Sequence, residues 1–361
     1  VRAACLLVFL AWSLLGCPRR EETAAPTLTP MGLQGARAAP HRCTLDERRF
    51  ASTSEALDAP WLLRGPDGPR VLGRTSSSGL LFWRDARAEA SIPSSLSLAP
   101  HAVAWTGRGF FGVLDGRATF TDARFDAPHP VRRLAFDRAI SISTAAREGA
   151  VLVAWLKEGR EGDAEGSPWA AMVGPGGELL MDAQPLTGAP AALRSLHARW
   201  DFGRFVVEGE TVGGPFESWS WVLEPDGRSA WSGQGPLVCP LSGCMRVDFH
   251  AGPGGRSQAL RFVALNDPSI SIDTNIFTND VLAAAVSGDR VLVLHSPLQG
   301  ELGCAVHVYD VGHRQVAHES SSELLGCAPG SALATPEGFV ILEVDPSRGL
   351  TQRSLTCGDD A

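Results

Sequence analysis

Apolar residues along this chain come in short runs separated by glycine-bearing turns. The clearest case is His101–Gly116, where Ala102–Trp105 and Phe110–Leu114 flank Thr106-Gly107-Arg108-Gly109 and Asp115-Gly116 follows. Two apolar runs joined by so short a polar turn predict a β-hairpin. Variants recur at Ser143–Trp155 around Arg147-Glu148-Gly149, at Ser195–Val207 around Asp201-Phe202-Gly203-Arg204, at Ala283–Leu294 around Ser287-Gly288-Asp289-Arg290, and at Ser331–Val344 around Pro336-Glu337-Gly338. Two kinds of strand are readable. Phe205-Val206-Val207 is continuously apolar and reads as covered on both faces, whereas Trp219, Trp221 and Leu223 alternate with Ser218, Ser220 and Val222, the period of a strand with one buried face.

With the second strand of each hairpin as landmark, copies begin near 70, 110, 150, 204, 258, 290 and 338. Units of roughly 35–55 residues match the length of four-stranded propeller blades. The expected fold is therefore all-β, a β-propeller of about seven four-stranded blades. Tandem β-sandwich domains are the alternative, and they require Greek-key strand order instead of a repeated meander. Two stretches are too polar to join this pattern: Lys157–Ser167 reads as an exposed excursion and Asn266–Asp280 as a long polar connection.

Composition adds little to the fold and removes some functions. The chain has 361 residues, 44% hydrophobic and 20% charged, with 39 Gly and 25 Pro to supply turns. The formal net charge is -8, Lys157 is the only lysine, and no basic run occurs. Nucleic acid is not an expected partner, because neutralising phosphates takes clustered Lys and Arg.

The N-terminal residues carry the most specific signal. A basic start, Val1-Arg2, precedes an apolar run, Cys5–Leu15, interrupted only by Ser13, and Leu14-Leu15-Gly16-Cys17 closes it. This resembles the lipobox of bacterial lipoproteins. The resemblance implies cleavage before Cys17 and a lipid on its thiol, so that residues 1–16 are a signal peptide, 17–42 a lipidated cysteine and flexible tether, and 43–361 the propeller domain. It also implies a membrane partner through the lipid and a place in the cell envelope, with the outer membrane expected. The apolar run itself is shorter than the ~20 residues that span a bilayer.

Of eight cysteines, Cys5 and Cys17 belong to this segment, which leaves Cys43, Cys239, Cys244, Cys304, Cys327 and Cys357. An even number in an exported chain reads as disulfides, although spacing alone leaves the connectivity open. A propeller closes by bringing its first and last strands into one blade. The expected pairs are thus a Cys43–Cys357 clasp, a local Cys239–Cys244 loop, and Cys304–Cys327 joining strands of the last two blades. Zinc is not expected at Cys239 and Cys244, since no second Cys or His pair lies at the required spacing.

No local catalytic signature emerges, and no cofactor or metal is expected. Gly107-Arg108-Gly109-Phe110-Phe111-Gly112 matches Gly-x-Gly-x-x-Gly, but strand residues come after it where a dinucleotide site needs a helix. Lys157 follows Leu156, not Gly, which removes a phosphate-binding Walker loop, and neither Gly-x-Ser-x-Gly nor His-Glu-x-x-His occurs. His307 and His318 flank a turn containing His313, at positions that could face each other across a hairpin as a two-histidine clip, but solvated side chains on an outer strand are expected. Asp267, Asp273, Asn275, Asn279 and Asp280 offer oxygen ligands without calcium-loop spacing. Trp83, Trp105, Trp155, Trp219, Trp221 and Trp231 fall in strand-like runs and read as wedges between blades.

Across roughly residues 60–355 the repeat form resembles secreted bacterial β-propeller lipoproteins, without the signature dipeptides of WD40 repeats, the double glycines of kelch or the sialidase box. The resemblance implies a lipid-anchored envelope propeller that binds or scaffolds a protein or glycan. The alternative is an extracellular polysaccharide hydrolase or lyase on the same scaffold.

Overall fold

The computed structural model describes residues 43–49, 58–75, 79–84, 87–92, 102–114, 117–122, 129–136, 138–159, 165–189, 193–201, 203–211, 218–251, 258–278, 281–296, 303–324, 327, 331–345 and 349–358. The chain divides into two compact units, Val1–Ala39 and Pro40–Ala361. All described residues belong to the second, so residues 1–42, with the expected signal peptide, Cys17 and tether, lie outside them.

Every extended element among the described residues is a β-strand in an antiparallel meander, and no α-helix occurs. Five sheets have four strands, and an eight-stranded one divides into two four-stranded meanders at a single residue pair, Gly166 with Leu193. The protein is a propeller of seven four-stranded blades. Their innermost strands are Asp58–Gly65, Ala104–Trp105, Ala139–Arg147, Leu193–Asp201, Leu237–Val238, Val281–Ser287 and Ala332–Thr335. We number the blades 1 to 7 in that order.

Strand alternation builds the packing between blades. In the second strand of blade 3, Ala150–Glu158, Val151, Val153 and Trp155 pack on the core shared with blade 2, while Ala150, Leu152, Ala154 and Leu156 pack towards blade 4. The same division recurs in blade 6, where Val291 and Val293 face blade 5, and Leu292 and Leu294 face blade 7. Both faces of such strands are buried, which is why they read as continuous apolar runs. The last core closes the circle: Val340, Leu342 and Leu350 of blade 7 pack against Leu62 and Val71 of blade 1.

Closure rests on a strand from the other end of the unit. Cys43–Arg49 pairs with Gly349–Cys357 over seven residue pairs, from Cys43 with Cys357 to Arg49 with Thr351, and becomes the outermost strand of blade 7. A disulfide joins Cys43 to Cys357 across this ladder, with 314 residues of separation.

Three sequence readings change. The landmark at 258 falls on the third strand of blade 5, Gln258–Ala264, because the second is Met245–Ala251 and the first has shrunk to Leu237–Val238. Ser271–Thr278, read as connection, is the outer strand of that blade: Ile272 and Thr274 are buried and alternate with exposed Asp273, and Thr274 Oγ1 donates to the Leu260 carbonyl at 2.6 Å. Polar side chains on the solvent face had masked a period of two. The Cys304–Cys327 disulfide lies at one blade, not between two, because Cys304 begins the third strand of blade 6 and Cys327 comes after its fourth, Gln315–Leu324.

Candidate functional site

The turns between first and second strands of all blades lie on one face of the ring, and their geometry sets its mouth. In six blades a closing pair brackets the turn, and the residue just before that pair occupies one tier of the innermost strand. These residues are Arg64 (opposite Pro69), Trp105 (Phe110), Ala146 (Val151), Trp200 (Phe205), Val286 (Val291) and Ala334 (Phe339). Blade 5 replaces the hairpin with its disulfide loop. Five of the tier residues, Arg64, Trp105, Ala146, Trp200 and Ala334, line a cavity of about 910 Å³, together with turn residues such as Asp67, Arg147, Glu148 and Glu337.

The tight turns that shape this rim arise from their residues. Gly107 takes φ 95°, a left-handed conformation that a side chain would strain. Thr106 holds the same turn, its Oγ1 donating to the Gly109 carbonyl at 2.9 Å and accepting from the Gly109 amide at 3.3 Å. A Cβ on Gly109 would run into the Thr121 carbonyl oxygen. The Gly-x-Gly-x-x-Gly string therefore serves a hairpin.

The side chains at the mouth are fixed by their own blades. Trp105 lies against Phe110 with ring centroids 4.8 Å apart, and Trp200 against Phe205 at 4.6 Å. Both indoles are half-buried, with Ala146 of the intervening blade between them in the tier. Arg64 reaches across the closing seam, Nη2 donating to the Ala334 carbonyl at 3.3 Å. Arg147 donates to the Glu148 carbonyl at 2.8 Å and the Pro225 carbonyl at 3.3 Å, and its Nε is buried without a partner among the described residues. Neither arginine pairs with a carboxylate among the described residues. Arg64 remains open to solvent within the concavity, yet the surrounding turns exclude enough water that burial holds its pKa below the ordinary guanidinium value. Of the acids, Asp67 pairs with Arg70 at 3.5 Å, and Glu148 and Glu337 are exposed on the rim.

Below the mouth the innermost strands of six blades enclose a smaller space of about 140 Å³. Trp61 of blade 1 and His197 of blade 4 stack with centroids 6.5 Å apart and planes 12° from parallel. Burial lowers the His197 pKa against the opposing pull of Glu208 and Glu210. Beside them Arg199 binds Asp201 at 2.9 Å and Glu208 at 3.0 Å and donates to the Leu237 carbonyl. The two acids in turn accept from the Cys239 amide at 3.2 Å and the Leu237 amide at 2.8 Å. Burial opposes the Arg199 charge, but the two carboxylates outweigh it and hold its pKa above the ordinary value. This cluster ties blade 4 to blade 5, and its donors and acceptors are consumed in doing so.

The other residues singled out in the sequence lie apart from the mouth. Cys239 and Cys244 are joined by a disulfide, and the loop between them docks on blade 6: the Leu241 amide donates to the Gly288 carbonyl at 3.0 Å and the Ser242 amide to Asp289 at 2.6 Å. His307 does not face His318. It pairs with Glu319, one residue out of register, and its ring lies 4.9 Å from that of His295. His313 contacts Asp310 at 2.9 Å. Asp273 pairs with Arg261 at 2.5 Å, Asp267 caps its own turn through Ser269, and the side chains of Asn275, Asn279 and Asp280 lie outside the described residues. No group of three or more His, Cys, Asp or Glu able to hold a metal occurs among the described residues. Trp155 and Trp221 are wedged between blades, whereas Trp105 shares the mouth with Trp200 and Arg64, two residues that the sequence reading passed over. Aligning the repeats by their turns would have placed all three at one position.

No family model matches the sequence, and no curated protein matches it. Among solved structures, the chain is similar to an oligogalacturonate lyase from Vibrio parahaemolyticus, 9% identical, with a TM-score of 0.50 over 88% of this chain and 98% of that one. A puromycin hydrolase aligns at 12% identity and a TM-score of 0.49, covering 86% of this chain and 55% of that one. At such identity the first likeness speaks for the fold alone.

Proposed function

We propose that this protein is an exported, lipid-anchored propeller that binds a glycan or protein of the cell envelope at the mouth of its ring. The observation that carries the reading is the tier itself. Five blades contribute one residue each to a single cavity, and those residues are two braced indoles, two alanines and a guanidinium without a carboxylate partner among the described residues. Concave sites with aromatic walls and a few fixed polar groups are the usual form of a ligand site. Three disulfides fit an oxidising, extracellular or periplasmic compartment. The lipobox-like Leu14–Cys17 adds the anchor. A hydrolase or lyase remains the alternative on account of Asp67, Glu148 and Glu337 at the same mouth.

The test is a glycan and peptide array probed with the full chain in detergent, beside its Ala146→Trp variant, which fills the gap between the indoles. Wild-type binding that Ala146→Trp abolishes supports the mouth as the site; equal binding by both proteins overturns it. Release of shortened products from a bound polysaccharide favours the catalytic alternative. For the anchor, Cys17→Ala should move the protein from the membrane to the soluble fraction, and unchanged partitioning would contradict lipidation at Cys17.

A further inference from the structure

The chemistry of the mouth narrows the ligand beyond what its shape requires. Taking the mouth as the binding site proposed above, we infer that the ligand is an acidic saccharide, a hexuronate unit whose carboxylate is held by the guanidinium of Arg64 and whose sugar rings lie against Trp105 and Trp200.

Arg64 is the one charged residue in the tier, and it is presented in an unusual way. Its Nη2 is spent on the Ala334 carbonyl, a neutral acceptor that positions the group without discharging it. No carboxylate among the described residues pairs with it, so the nearest acids of the mouth do not serve as its counter-ion. A guanidinium held in a concavity with donors left over is the group that matches a carboxylate in two parallel hydrogen bonds. The lining as a whole is not positive, since Asp67, Glu148 and Glu337 outnumber Arg64 and Arg147, although Asp67 is paired with Arg70. Recognition by one placed group, not by a broad field, is the consequence, and binding should depend only modestly on salt.

The indoles decide between kinds of acid. Each is braced by a phenylalanine of its own blade, so its orientation is set before a ligand arrives. Two rigid apolar plates with a small residue between them suit a chain of rings that have flat C–H faces and polar edges, and rigid aromatic anchors give contact area at little entropic cost. The rim carboxylates and turn carbonyls then serve as acceptors for hydroxyl groups. A peptide ending in a free carboxylate shares the Arg64 chemistry but has no repeated flat face for the second indole.

The experiment is calorimetric titration of the full chain in detergent with three probes: a hexuronate tetrasaccharide, the same tetrasaccharide with its carboxyls reduced to alcohols, and a tetrapeptide with a free C-terminus. The acid should bind at least about tenfold more tightly than its reduced form, the loss expected for one charge-assisted contact. Arg64→Ala should erase that preference, bringing acid and reduced sugar to one affinity, and Ala146→Trp should abolish binding of both. Equal affinity for acid and reduced sugar, each lost in Ala146→Trp, would overturn the acidic ligand and leave the mouth standing. Binding of the tetrapeptide alone, or of none of the three probes, overturns the inference, and saccharide binding that survives Ala146→Trp overturns the reading of the mouth with it. A circular dichroism melt of each variant checks that the ring is intact.

Discussion

The face that bears the mouth has two unlike arcs. From blade 7 through blades 1 to 4 the first turns are short, and the residues before them leave a cavity lined by Arg64, Trp105, Ala146, Trp200 and Ala334. In blade 5 the Cys239–Cys244 loop stands in place of the turn and is hydrogen-bonded onto Gly288 and Asp289 of blade 6, and neither blade lines that cavity. One arc is open and contains the seam where the ring closes; the other is stapled, its two blades joined through the loop. Seven copies of one meander thus make a lopsided mouth, because a single blade has exchanged its hairpin for a covalent loop.

The largest effect should come from cutting the seam. By the chain-entropy model a disulfide closing 314 residues contributes about 6 kcal/mol, an upper bound because unfolded chains keep some structure. Cys43→Ala with Cys357→Ala should lower stability by several kcal/mol in chemical denaturation and weaken ligand binding as well, because Arg64 and Ala334 meet across that seam. The joint between the arcs ranks next. Arg199→Ala leaves Asp201 buried at 2% exposure without its cation, and a loss of about 3–5 kcal/mol is expected from the same measurement. Opening the staple with Cys239→Ala and Cys244→Ala should cost about 2 kcal/mol at most, since that loop spans a separation of only 5. Its effect should stay in blades 5 and 6, visible as faster amide exchange at Leu241 and Ser242.

Smaller still is the turn on the open arc. Thr106→Ala removes the hydroxyl that bridges Gly109 and should cost about 1 kcal/mol in thermal denaturation. Acid should act through His197 of blade 4 and, on the other arc, through His295. Burial lowers the pKa of His295, whose Nε2 has no partner among the described residues and whose ring lies by His307, so the folded state favours neutral imidazole. The unfolded chain then binds more protons, and stability should fall as pH drops through about 6.5, the free histidine value. The slope of stability against pH should flatten in His295→Gln; an unchanged slope would place the dependence on another group.

Much of this ring is legible in its residues, and the gaps have physical causes. Strands buried on both faces, such as Ala150–Glu158 and Arg290–His295, announce themselves because their central positions tolerate no polar side chain on either side. Blade 5 hides because its first strand is two residues long and its hairpin turn is a disulfide loop, so neither periodicity nor a glycine turn marks it. Ser271–Thr278 hides because an outer strand buries only alternate residues, and among its described side chains the exposed one, Asp273, is charged and a buried one, Thr274, is polar. The mouth is the least legible. Arg64, Trp105 and Trp200 are far apart in sequence and unlike in chemistry, and only pairing register puts them at equivalent places.

If the open arc holds the ligand and the stapled one does not, hydrogen–deuterium exchange of the full chain, with and without a saturating hexuronate oligosaccharide, will separate the two. Exchange should slow at the turns around Gly65–Gly68, Thr106–Gly109, Arg147–Ala150 and Thr335–Gly338, with no change at Cys239–Cys244 or Ser287–Arg290. Protection confined to the stapled arc, or to the outer strands of the blades, would contradict ligand binding at the open one.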